Sequence, residues 1–166
     1  MNILREPDYF KQIIFGFDDA FVSTVGILVG IAAATADPYL IFLTGIVVIG
    51  VEALSMGVGA FLSEKASHQL QESERKRSTD NPMLGGVLMF VSYILGGCVP
   101  LVPYIVLPFG LAISVSIGAT FLGLFALGFI KGRLVKVNPW RSAIEMMSVA
   151  GAAIIVGYAL GKVIHS

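Results

Sequence analysis

The sequence predicts an all-α integral membrane protein with five transmembrane helices, on three observations. The 166 residues are 56% hydrophobic and only 13% charged, against roughly 25% charged in a soluble domain. Mean hydropathy is +0.86, so a water-exposed fold of this size would lack polar side chains to cover itself. Finally, the apolar residues fall into five blocks, each near the roughly 20 helical residues that a bilayer core of about 30 Å requires. The formal net charge is zero, which suggests no nucleic acid or acidic partner.

The first span covers about 13–36 and is stopped by Asp37-Pro38. The second covers about 39–62 and continues as a polar helix past Glu64. A short polar connector, 63–82, follows. The third span covers about 83–107; its apolar part reaches about Val99, and Pro100, Pro103 and Pro108 crowd its far end. The fourth covers about 109–130 and the fifth about 142–164. The polar start, Met1 to Lys11, does not have the shape of a signal peptide. Neither a low-complexity segment nor an internal repeat is evident. The single Cys98 excludes an intrachain disulfide, and its apolar surroundings predict a buried thiol. With His68 and His165 far from it in sequence, neither a zinc cluster nor a thiol nucleophile is expected.

Basic residues orient the spans. Arg5, Lys11, Lys65, Arg75, Lys76, Arg77, Lys131, Arg133, Lys136 and Arg141 fall on one side, and Lys162 alone on the other. This places the N-terminus, the 63–82 connector and the link between spans four and five in the cytosol. The C-terminus then faces out or into a lumen.

Four small-xxx-small pairs let helices approach closely: Gly26/Gly30, Ser55/Gly59, Ser92/Gly96 and Gly157/Gly161. Each has two readings, packing within one chain or packing between two copies.

Ionisable residues inside lipid are costly and mark function. Asp18, Asp19, Glu52 and Glu145 lie within spans. Asp19, Ser23, Gly26 and Gly30 share one helical stripe, as do Glu52, Met56, Gly59 and Ser63. At about 1.5 Å per residue, Asp19 and Met56 both lie about 9 Å from the cytosolic edge, and Glu52 about 15 Å. Carboxylates suit divalent cations, and a thioether adds preference for softer transition metals. Against this stand blander readings. Met56 is a common type of core filler, Asp19 can cap a helix that starts after Gly16, and Glu145 can form an exposed i, i+4 pair with Arg141.

Two segments carry a family resemblance. "GFDDAFVSTVGILVGIAAA" at 16–34 and "EALSMGVGAFLSEKAS" at 52–67 resemble the first- and second-span signatures of the vacuolar iron transporter family. The spacing of the two, five spans and a cytosolic N-terminus also fit. The resemblance implies a homodimer that moves Fe²⁺, often Mn²⁺ too, out of the cytosol in exchange for protons. In that family the path follows the dimer interface, lined by a first-span Asp and a second-span Met, which match Asp19 and Met56. The metal is cargo, and no permanently bound cofactor is implied. Partners are the bilayer, a second copy, divalent metal ions and protons. The location is the cell membrane in a prokaryote, or a vacuolar or other organelle membrane in a eukaryote.

The chain departs from the family pattern at several points. Ala20 follows Asp19 where Gly is usual, and Ala60 follows Gly59 where many members have Glu. Glu52 occupies a position where many have a small residue, so it is a candidate for metal binding or proton coupling. Many members insert a Glu-rich helical domain between spans two and three. Here Glu64, His68 and Glu72 remain on one helical face as a possible cytosolic entrance, opposed by Lys65 and the Arg75–Lys76–Arg77 run. A metal-blind structural or accessory subunit is the alternative. Without a nucleophile–base pair, a haem-type His pair or a nucleotide motif, an enzyme is not expected.

Overall fold

The structure, a computed structural model, describes residues 6–73 and 81–165, with side chains over 6–71 and 81–164. Arg5, Arg75, Lys76 and Arg77 lie outside the described residues, as does the side chain of Glu72. Five α-helices follow one another: α1 Pro7–Ala34, α2 Pro38–Ser73, α3 Pro82–Val106, α4 Phe109–Leu134 and α5 Pro139–His165. All five are long and apolar enough to cross a membrane, and no strand occurs among the described residues. The protein is an integral membrane protein.

Proline and short polar caps punctuate the chain. Pro7, Pro38, Pro82 and Pro139 each open a helix, and Pro108 immediately precedes α4. Proline suits that position because its missing N–H has no partner in the first turn. The next free N–H groups are met by side chains. Asp37 Oδ1 accepts from the Tyr39 N–H at 2.9 Å, Asn81 Oδ1 from Met83 at 3.0 Å, and Asn138 Oδ1 from Trp140 at 3.0 Å. Each is an N-cap of the Asx type.

Several helices differ in extent from the expected spans: α4 runs to Leu134, past 130, and α5 begins at Pro139, before 142. The first helix begins at Pro7, six residues before 13, and ends at Ala34, before 36. The second runs 36 residues, about 54 Å, well beyond a 30 Å core. Residues 63–73 of the connector are therefore helical. Pro100 and Pro103 stand inside α3, which continues to Val106. Ser116 of α4 donates to the Pro100 carbonyl at 2.7 Å, tying α4 to α3.

Helix α1 touches all four others; α2 packs chiefly on α3, and α5 on α1 and α4. The register between α1 and α2 is set near their polar ends, where Gln12 Nε2 donates to Glu64 Oε1 at 2.7 Å. The buried Tyr9 hydroxyl accepts from the Asn81 N–H at 2.7 Å, tying the start of α1 to the start of α3. The core has three parts. One gathers Leu28, Ile41, Ile49, Leu101, Tyr104 and Ala112; one gathers Phe21, Leu124, Met146 and Ala150; and Ala20, Ala53 and Tyr93 form the junction of α1, α2 and α3. Large apolar side chains such as Val51, Leu54, Leu122, Ile155 and Leu160 point outward, as lipid-facing residues do.

Three of the four small-residue pairs pack within the chain. Gly26 and Gly30 of α1 lie against Ala153 and Gly157 of α5, and Gly161 lies against Gly30. Ser92 and Gly96 of α3 lie against Gly16 and Ala20 of α1. Ser55 and Gly59 differ: both are exposed, and no atom lies within 4 Å of a Cβ built on Gly59. Cys98 corrects an expectation. It is exposed, on an outward stripe with Val91, Leu95 and Val102. Apolar neighbours in sequence mark a lipid-facing surface as readily as a core.

Candidate metal path

Helix α1 runs unbroken through Gly16 and Asp19, so Asp19 caps no helix start. Successive helical residues are about 100° apart around the axis, and the two aspartates diverge accordingly. Asp18 turns toward α4, within electrostatic reach of Lys131, and its Oδ1 is buried with no hydrogen-bond partner. Asp19 turns toward α2, within electrostatic reach of Glu52. Both Asp19 and Glu52 are half-buried.

Ala20, next to Asp19, packs with Ala53, next to Glu52. The half-buried Met56 packs on Ala20, Ala53 and Tyr93. Glu52 lies four residues beyond Met56, about 6 Å deeper. The structure thus brings Asp19 and Glu52 within electrostatic reach of each other and Met56 onto the Ala20–Ala53–Tyr93 junction.

A third helix completes this region. Tyr93 of α3 is fully buried, with its hydroxyl 2.7 Å from Ser23 Oγ and within electrostatic reach of both Asp19 and Glu52. One turn earlier on α3, Met89 joins Met56 in the wall of a groove of about 400 Å³, which Lys11, Gln12, Phe15, Ser55, Gly59 and Ser63 also line. Sequence reasoning missed Met89 and Tyr93, which read as fillers in an apolar helix. Gln12 lies seven residues before Asp19, on the same stripe, so extending that stripe backward finds it.

The expected entrance opens onto this groove. Glu64 and His68 line a polar pocket of about 150 Å³ together with Asp8, Lys11, Gln12, Ser63, Ser67 and Gln71. Lys11, Gln12 and Ser63 are walls of both spaces, so the polar pocket adjoins the groove at Met56. Lys11 places a positive charge where they join. Among the described residues, no three His, Cys, Asp or Glu side chains converge on one point. Glu145 lies apart, exposed and paired with Arg141 at 3.1 Å.

Five helices of membrane length, with Asp19, Glu52 and Met56 half-buried among them, define an all-α integral membrane protein. The chain belongs to the VIT family, whose profile matches residues 10–81 and 76–162. It is similar to the protein named vacuolar iron transporter 1 of Tulipa gesneriana, at 24% identity over 99% of this chain and 94% of that one. That alignment runs over 232 positions, so the tulip protein carries stretches this chain lacks. Similarity also extends to an uncharacterized protein of Methanocaldococcus jannaschii, at 28% identity over 98% and 93% of the two chains. Vacuolar iron transporter 1 of Arabidopsis thaliana matches at 23% identity over 93% and 86%.

Proposed function

We propose that this protein transports divalent transition metal, Fe²⁺ first and Mn²⁺ second, out of the cytosol in exchange for protons, as a homodimer. The observation that supports the reading is the groove at Met56 and Met89, which shares Lys11, Gln12 and Ser63 with the polar pocket at Glu64 and His68, beside a half-buried Asp19 and Glu52 within electrostatic reach of each other. A cation leaving water needs replacement ligands where lipid offers none. Asp19 supplies an anionic oxygen, Met56 a soft sulfur, and Glu52 a second carboxylate one turn deeper. The names of the tulip and Arabidopsis relatives support iron as the cargo.

Homodimerisation follows from where this set lies. One chain offers two carboxylates and a thioether on a half-open face, too few ligands to replace a hydration shell. The exposed Ser55/Gly59 pair flanks that face, and among the described residues no atom lies within 4 Å of a Cβ built on Gly59. A second copy packed there buries the carboxylates away from lipid and doubles the ligand set across a two-fold axis. Glu52 either joins the ligands or carries the returning proton, since protonation cancels the charge that holds the metal. The basic side of the molecule faces the cytosol.

The test is metal flux in proteoliposomes with Fe²⁺, Mn²⁺, Co²⁺ and Zn²⁺, with and without a pH gradient. Accumulation of Fe²⁺ and Mn²⁺ that rises with an opposing proton gradient is expected. No flux of any of the four ions identifies a metal-blind accessory subunit instead.

A further inference from the structure

The side of α2 away from Glu52 carries a second feature. At the α2–α3 seam, a Cβ built on Gly86 would stand 2.7 Å from the Gly57 carbonyl oxygen, and one on Gly57 2.9 Å from Phe90 Cβ. The two backbones therefore touch, and the larger side chains on either side stand up as walls. Leu54, Val58, Phe61 and Leu62 of α2 face Val87 and Phe90 of α3 across an open groove of about 460 Å³ with almost no polar surface. Leu54, Val58, Phe61 and Lys65 continue one face of α2 at i, i+4, i+7 and i+11. Lys65 is exposed, and its ammonium sits over the Phe61 ring, 5.9 Å from the centroid. Met83, at the start of α3, closes the same end of the groove.

We infer that this groove binds one acyl chain of an anionic phospholipid, with the headgroup phosphate held at Lys65. The dimensions match. Leu54 to Lys65 is eleven residues, about 16 Å along the helix, and one leaflet supplies about half of a 30 Å hydrocarbon core. The chemistry changes from wholly apolar to cationic at the depth where a phospholipid changes from acyl chain to phosphate. The cation–π contact with Phe61, itself a wall of the groove, keeps the exposed Lys65 ammonium beside the groove. The leaflet is the one on the basic side of the protein, where anionic lipid gives each Lys a favourable field. The proposed dimer face lies across α2 from this groove, so both surfaces can be occupied together.

Native mass spectrometry of the detergent-purified protein, titrated with phosphatidylglycerol and phosphatidylcholine of identical acyl chains, tests this. The first phosphatidylglycerol should bind about fivefold more tightly than phosphatidylcholine, the preference one Lys beside an anionic headgroup provides. Lys65→Gln should abolish that preference and leave phosphatidylcholine binding unchanged. Val58→Trp and Val87→Trp should weaken both lipids by filling the groove. Their positions are 47% and 46% exposed, so the added bulk meets no core, and thermal melting checks that each variant is folded. Equal affinity for the two lipids overturns the inference, as does a preference that survives Lys65→Gln. Loss of dimers in Val58→Trp also overturns it, because a second copy then fills the groove.

Discussion

Gly30 of α1 and Gly157 of α5 meet backbone to backbone: a Cβ built on Gly30 would stand 2.9 Å from the Gly157 carbonyl oxygen. The two GxxxG motifs of the sequence thus serve each other within one chain. Gly30→Leu should open the α1–α5 seam, since backbone atoms cannot move aside as side-chain ends do. Overpacking of this kind costs on the order of 1–3 kcal/mol. Thermal melting in detergent should show a fall of several degrees for Gly30→Leu. Gly50→Leu should melt like the parent, because no atom lies within 4 Å of a Cβ built on Gly50. A Gly30→Leu protein of parental stability that runs as a monomer would return this glycine to the interface between copies.

Topology offers an independent check on the basic bias. A reporter fused after Ser166 should lie outside the cytosol, and one inserted in the 74–80 segment inside it. Among the described residues, Lys11, Lys65, Lys131, Arg133, Lys136 and Arg141 stand at one end of the bundle and Lys162 at the other. Both reporters on the same side would require an even number of crossings between them, which α3, α4 and α5 do not provide.

Lys11 lines both the entrance pocket and the groove beyond it, so every cation on the proposed route passes it. Lys11→Gln should lower the half-saturating metal concentration about two- to fivefold, with little change in maximal flux. The advantage should shrink as ionic strength rises, because salt screens an exposed charge. Flux measured against metal concentration at low and high salt reads both effects. Identical curves for parent and variant would mean that the ion takes another way in.

The membrane architecture was legible because five apolar blocks and their Pro, Asp and Asn punctuation report local physics, and local physics forms a membrane helix. Depth along the helices is an expectation of the same local kind: a fixed rise per residue puts Asp19 and Met56 level. Partners across helices were not legible. A GxxxG pair records that some backbone comes close, without recording whose, so Gly26/Gly30 gave no sign of meeting α5. Cys98 faces outward because lipid and protein core favour the same side chains. Tyr93 and Met89 escaped notice because a phenol or a thioether in an apolar run is ordinary packing. Only the fold brings the Tyr93 hydroxyl to Ser23 and the Met89 side chain to the groove that holds Met56.

The site itself makes the sharpest demand. If Asp19 and Met56 hold the passing ion, each variant should fail in its own way. Asp19→Asn keeps the shape and removes the charge; it should abolish flux while the protein still folds and melts normally, because the carboxylate is half-exposed and α1 does not depend on it as a cap. Glu52 lies about 6 Å deeper, where a carboxylate that alternates between metal and proton links the two gradients. Glu52→Gln should therefore flatten the response to a pH gradient more than it weakens metal binding. Met56→Leu conserves volume, at less than about 1.5 kcal/mol of stability, and loses only the sulfur. It should reduce discrimination of Fe²⁺ from Mg²⁺ and leave the Ala20–Ala53–Tyr93 junction intact. Flux, pH response and metal competition, measured on the same three proteins, separate these roles. Parental behaviour in all three would leave Asp19, Glu52 and Met56 with no part in moving an ion.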